Sequence, residues 1–195
     1  MTHYDFEAGL VVRHGAKIQP LNAFKVIAFD MDSTLINIEC IDEIADAAGK
    51  KAEVAAITEA AMRGEITDFK ESLRRRLALL KGVPVAHLES VDTDRLRLNP
   101  GAETLLNACR NAGLYTVLVS GGFTFFAERV RSRLNIDLAR SNQLEIIDDR
   151  LTGNLIDQAW GTICDGEMKK QTLQTLCQSR GWEPSDAIAV GDGAN

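Results

Sequence analysis

Apolar residues gather in three short runs along this chain, and each run stops abruptly at small or acidic residues. Phe24-Lys25-Val26-Ile27-Ala28-Phe29 meets Asp30-Met31-Asp32 and the turn-forming Ser33-Thr34. Tyr115-Thr116-Val117-Leu118-Val119 meets Ser120-Gly121-Gly122, and Ala187-Ile188-Ala189-Val190 meets Gly191-Asp192-Gly193-Ala194-Asn195. Continuous rather than alternating hydrophobicity, rich in β-branched residues, suits strands covered on both faces of a parallel sheet. Such sheets place their chemistry beyond the carboxyl ends of the strands, which puts Asp30 at the mouth of a site.

Between the first two runs the apolar period becomes helical. Ile41, Ile44, Ala45 and Ala48 recur at helical spacing before Gly49, and Val54, Ile57 and Ala61 repeat the pattern before Gly64. Phe69, Leu73, Leu77 and Leu80 form one stripe between the potential caps Thr67 and Asp68 and the stop at Gly82. Pro100-Gly101 then opens a helix that runs to Gly113, and a further helix is predicted from Phe123 to Leu134. Leu144–Ile147 and Leu151–Gly153 flank Asp148-Asp149-Arg150 as a hairpin, and a last helix is predicted over about Glu167–Ser179. Helices alternating with buried strands predict an α/β fold with a doubly wound, mostly parallel sheet, and a small helical cap inserted after the first core strand. The core is assigned to residues 24–35 and 96–195, the cap to 36–95, and residues 1–23, with the short apolar Leu10-Val11-Val12, to an N-terminal extension. A helical unit inserted there is placed to cover the mouth like a lid.

A chain of 195 residues, 45% hydrophobic and 26% charged, has an average globular composition and enough length for a sizeable core. Its net charge of -6 argues against a nucleic-acid surface, so any phosphate must be met by local cations. No window approaches the roughly 18 consecutive apolar residues of a membrane span. The start, MTHYDFEAGL, lacks the layout of a signal peptide, so a cytoplasmic protein without a membrane partner is expected. Cys40, Cys109, Cys164 and Cys177 are scattered, without metal-site spacing, and are expected to be reduced structural thiols.

Asp30 and Asp32 lie two residues apart on extended backbone and project toward the same side, where their charges repel unless a cation or a shared proton intervenes. Mg²⁺, a hard ion with oxygen ligands, resolves that conflict. The pair can then divide labour, Asp30 attacking phosphorus and Asp32 donating and recovering a proton at the bridging oxygen. Ser120-Gly121-Gly122 offers a hydroxyl and unhindered N–H groups to an anion at a helix start. Lys169 falls in the first turn of a predicted helix, where a cation needs an anionic partner. Asp192 supplies a further carboxylate, and Asn195 an uncharged amide. Taken singly, each has a plain structural alternative: an acidic turn, a glycine turn, a solvated lysine.

The order D-M-D-S-T, S-G-G, lysine, G-D-G-A-N resembles the haloacid dehalogenase superfamily of aspartate-nucleophile phosphohydrolases. Ser33 to Ile44, Ala61-Met62-Arg63-Gly64 and Ser72-Leu73-Arg74-Arg75-Arg76 resemble the phosphoserine phosphatase family within it. The resemblance runs from Phe24 to Asn195. It implies a Rossmann-like core and hydrolysis of O-phosphoserine through an aspartyl-phosphate, in serine biosynthesis. Asp30 is then the nucleophile and Asp32 the general acid/base. Mg²⁺ is held by the Asp30 carboxylate, the Asp32 carbonyl and Asp192. Ser120, Gly121 and Lys169 bind the phosphoryl group, and Asn195 orders the site. Glu39 meets the substrate ammonium and Arg76 its carboxylate, with Met62 and Phe69 as apolar walls.

Two departures from the family pattern stand out: one extra residue between Met62 and Phe69, and an end at Asn195, inside a motif that continues with another acid. A chain ending there is expected to bind Mg²⁺ weakly and to expose a sheet edge. Rival readings are a phosphatase or phosphotransferase for another small phosphomonoester, a receiver-like regulatory module, and an inactive fragment. The second acid and the helical insertion favour catalysis over a receiver, which needs a long-lived acyl phosphate.

Overall fold

The backbone groups of β1 (Val26–Phe29) are paired on both edges, because it runs parallel to β2 (Tyr115–Phe123) on one side and β5 (Ala187–Val190) on the other. Its side chains are buried on both faces, which is why the run shows no alternation. Val26 and Ala28 pack with Val117, Val119, Cys164 and Cys177, whereas Ile27 and Phe29 join the larger cluster on the opposite face. This computed structural model describes residues 18–193, so the expectations for Leu10-Val11-Val12 and Asn195 lie outside the described residues.

The sheet has five strands in the order β4-β3-β2-β1-β5. β3 (Leu138–Ile147) runs parallel to β2, and β4 (Arg150–Ile156) returns antiparallel to β3. The helices α5 (Ala102–Asn111), α6 (Thr124–Leu134) and α7 (Gly166–Arg180) connect the strands. The expected α/β architecture with a mostly parallel sheet is therefore observed. Among the described residues no helix is long and apolar enough to cross a membrane.

Two stretches of the sheet depart from the sequence pattern, whereas the expected hairpin forms. β2 does not stop at Val119 but continues to Phe123, so Ser120-Gly121-Gly122 lies within the strand and α6 starts only at Thr124. From Val119 to Phe123, β2 spends four residues where β3 spends two, from Arg140 to Asn142, and this bulge lets the strand continue past its glycines. The first half of β3 was not anticipated, because Arg140-Ser141-Asn142-Gln143 is polar and its strand state is imposed by pairing. At the hairpin, Asp148 and Asp149 both take positive φ, 49° and 57°, as a tight two-residue turn demands.

The insertion after β1 holds α1 (Cys40–Ala47), α2 (Lys51–Met62), α3 (Phe69–Leu79) and the unanticipated α4 (Val85–Ser90). The Asp68 carboxylate caps α3 by accepting from Lys70 N at 2.9 Å. Asn99 Nδ2 donates to the carbonyls of Thr34 at 2.9 Å and Ile36 at 3.0 Å, tying the two connecting strands together. At its far end the insertion is stitched to the hairpin, with Gly82 N bonding Leu151 O at 2.7 Å and Leu151 N bonding Val83 O at 2.9 Å.

Candidate active site

β1 delivers Asp30 to the sheet's carboxyl edge with its backbone still in register, Asp30 N donating to Val190 O at 2.9 Å. Its Oδ1 accepts from Met31 N at 2.8 Å and its Oδ2 from Lys169 Nζ at 2.6 Å. Lys169 reaches Asp30 from the first turn of α7, whose N-cap Asp165 accepts from Met168 N. The two side chains of this ion pair are only 15% and 11% exposed, so removing either one strands a buried charge, at a cost of about 3–5 kcal/mol.

The chain then turns sharply. The Met31 carbonyl accepts from Thr34, Leu35 and Ile36 N–H groups, while Ser33 is held at a φ of 54°, the left-handed region that a non-glycine residue rarely occupies. This turn carries Asp32 into the interior. Its Oδ1 is shut off from solvent and has no hydrogen-bond partner among the described residues, although part of the residue remains accessible. Burial raises the Asp32 carboxyl to about 7; the Cys40 thiol's hydrogen bond opposes that shift, and the charges of Glu39 and Asp30 reinforce it. A carboxyl that holds its proton near neutrality is suited to general acid work.

Opposite Asp32 the backbone comes in at close range. A Cβ added to Gly122 would sit 2.9 Å from both Asp32 Oδ2 and Met31 Cε and 3.1 Å from Ser120 Oγ, so any side chain there would have to displace those groups. Gly122 N donates to Ser120 Oγ at 2.9 Å, occupying an acceptor lone pair and leaving the buried hydroxyl its proton to give.

Asp30, Asp32, Glu39, Phe69, Arg76, Ser120, Gly121, Lys169 and Asp192 line one pocket. Met62 does not line it. That side chain is 84% exposed and borders an adjoining cleft with Phe69 and Arg76. α2 buries only Val54, and eight residues on a helix rotate Met62 by about 80° from that buried direction. Asn195 lies outside the described residues. Residues not singled out in the sequence also converge here: Ser33 Oγ donates to Glu39 Oε1 at 2.5 Å, and Thr34 Oγ1 to Asp192 Oδ1 at 3.3 Å. Their signal was the T in D-x-D-x-T and the serine before it. Gly122 was visible as the last letter of S-G-G, but its clearance from Asp32 is a tertiary fact.

Glu39 and Arg76 differ from the Asp30–Lys169 pair. Neither makes an ion pair among the described residues. Glu39 precedes α1 as its N-cap residue, and its carboxyl is raised, first by burial. Arg76 is half-buried on α3, bonds only weakly to Ser72 O at 3.4 Å, and is lowered by loss of solvent although Asp42 and Glu39 favour its charge. A partly desolvated guanidinium without a carboxylate has room for an anionic partner.

The carboxylates of Asp30 and Asp192 on the pocket wall offer a cation oxygen donors. No cluster of three or more acid, histidine or cysteine side chains able to cage a metal forms among the described residues. Few protein oxygens at an open pocket fit Mg²⁺, which keeps several waters in its shell.

Residues 27–195 match the family model of the haloacid dehalogenase-like hydrolases, and this sets the class. Over 191 residues the chain is 63% identical to a phosphoserine phosphatase of Polaromonas sp., covering 98% of this chain and 81% of that protein. Two solved structures superpose with a TM-score of 0.78 each, covering 87% of this chain and 78% of theirs. One is a phospho-aspartyl intermediate analogue of phosphoserine phosphatase, 38% identical, and the other a substrate-bound phosphoserine phosphatase complex, 37% identical. The chain belongs to the phosphoserine phosphatase family of haloacid dehalogenase-like hydrolases.

Proposed function

We infer that this chain is a cytoplasmic, Mg²⁺-dependent phosphoserine phosphatase that releases L-serine and phosphate, the closing step of serine synthesis. One observation carries the substrate assignment: Glu39 and Arg76, opposite charges that make no ion pair among the described residues, line the same pocket as Asp30, Ser120 and Lys169. Phosphoserine presents an ammonium, a carboxylate and a phosphate, and these residues answer the three groups in turn. Four buried free thiols agree with a reducing compartment.

In this reading Asp30 attacks phosphorus, displacing the serine oxygen and forming an aspartyl-phosphate. Asp32 gives its proton to that leaving oxygen, then takes one from the water that hydrolyses the acyl phosphate. Lys169, already 2.6 Å from Asp30, balances charge on the phosphoryl oxygens, and Ser120 and the Gly121 N–H orient them. Asp30, Asp192 and the Asp32 carbonyl would hold Mg²⁺, which when bound neutralises phosphate charge and orients the phosphoryl group. Residues 36–95 form the cap that excludes water, with Phe69 facing Gly121 across the mouth: a Cβ on Gly121 would meet Phe69 Cζ at 3.2 Å.

The test is phosphate release from L-phosphoserine, with and without Mg²⁺, beside an Asp30→Asn control and a panel of other phosphomonoesters. Selective, metal-dependent release lost in the control is the expected result. Release without selectivity would remove the roles of Glu39 and Arg76 and leave a general phosphomonoesterase.

A further inference from the structure

Asn142 lines none of the pocket itself, yet its side chain joins both halves of the anion cradle. It is fully buried on β3, opposite Phe123, where the register of β2 and β3 shifts. Its Nδ2 donates to Gly121 O at 2.7 Å, and its Oδ1 accepts from Cys164 N at 2.8 Å. Only one orientation of the amide satisfies both bonds, since a carbonyl oxygen cannot donate and an NH₂ cannot accept. The Gly121–Gly122 peptide is thereby gripped from both ends, its C=O by Asn142 and its N–H by Ser120 Oγ. On the other side, Cys164 immediately precedes Asp165, the N-cap of the helix whose first turn holds Lys169.

We propose that Asn142 is a positioning residue for phosphoryl transfer: its buried amide sets the Ser120–Gly122 peptides and the start of α7 at the spacing that lets Ser120 and Lys169 hold one phosphoryl group together. This rests on the phosphatase reading given above. The burial is the physical reason. A bulged strand containing two glycines has little intrinsic stiffness, and small displacements of donors aimed at a transition state are costly. Two hydrogen bonds without solvent competition supply the stiffness that the bulge lacks.

The test compares Asn142→Leu, which loses both bonds at similar volume, with Asn142→Asp, which keeps the acceptor for Cys164 N but cannot donate to Gly121 O as a carboxylate. Both are measured per folded molecule on L-phosphoserine, on an aryl phosphate and with orthovanadate as inhibitor. The expected loss in kcat is about 10- to 100-fold for both substrates, smaller than removing a transition-state donor outright. KM for phosphoserine should stay within about threefold because Glu39 and Arg76 are untouched. The vanadate inhibition constant should rise in step with the loss in kcat/KM. A folded variant with kcat and vanadate affinity within about threefold of the parent would overturn the proposal, because a merely structural residue lowers the melting temperature without moving either. If the leucine variant does not fold, the near-isosteric aspartate variant decides. If the parent protein ignores phosphoserine yet hydrolyses the aryl phosphate, the substrate reading falls, and Asn142 is judged on the aryl phosphate and vanadate alone.

Discussion

The strand-end half of the pocket and the cap half are built on opposite principles. At the strand ends the polar groups are engaged with one another: Lys169 with Asp30, Gly122 with Ser120, Asn142 with both Gly121 and Cys164. On the helical insertion, Arg76 has no ion pair among the described residues, and Glu39 is held there only by the Ser33 hydroxyl. The first half is organised before any ligand arrives, and the second keeps its charges free to be neutralised by one. Rate enhancement favours the former arrangement and selectivity the latter, since preorganised donors need no reorganisation and an unmatched charge penalises the wrong ligand.

Asp30→Asn probes that contrast most severely. It should lower phosphate release from every substrate by about 10⁴-fold or more and abolish acid-stable labelling of the protein by phosphate; residual turnover near the parent's would displace Asp30 as nucleophile. Arg76→Ala and Glu39→Gln should each lower kcat/KM for phosphoserine by about 50- to 100-fold while changing aryl phosphate hydrolysis less than about threefold, the worth of one charge-assisted contact. Equal losses on both substrates would erase the distinction between the two halves.

A third probe is pH. The folded Asp32 holds its proton up to about 7, whereas the unfolded carboxyl loses it near 3.8. Between those values the native state binds more protons, so stability falls as pH rises from about 4 to 7 and is flat above. The decline should be on the order of 2–3 kcal/mol, discounted because part of the residue meets solvent, and denaturant titrations in chelator at pH 5 and 8 would measure it. Asp32→Asn should remove most of the slope, leaving the part due to the raised Glu39 carboxyl. The smallest effect concerns the seam between the halves, where Lys70 of the cap pairs with Asp165 at 3.0 Å. Lys70→Ala should change KM by no more than about twofold to threefold, with a shift that fades at high salt, because the pair is partly exposed.

Much of the fold was written locally. The unalternating run that became β1, the stripe that became α3 with its Asp68 cap, and the acidic hairpin turn at Asp148-Asp149 all depend on neighbours in the chain. The first half of β3 and α4 were not legible, because a polar segment becomes a strand only when a partner strand offers its backbone groups, and a short helix only when a core accepts Leu88 and Val91. At the site, spacing nominated the residue types at the strand ends, but not that Met62 would stand 84% exposed outside the central pocket.

Acidic and glycine residues at the ends of buried runs, and a lysine in the first turn of a helix, were determined by the sequence itself, because strand period, helix period and turn chemistry act over a few residues. Tertiary structure decided which of those groups hold one another. Burial raises Asp32, Gly122 packs directly against the Asp32 carboxyl, and Asn142 reaches across 21 positions to Gly121 and 22 to Cys164. Desolvation and hydrogen-bond geometry depend on distance in space, and residues this far apart in the chain acquire that distance only when the sheet closes around them.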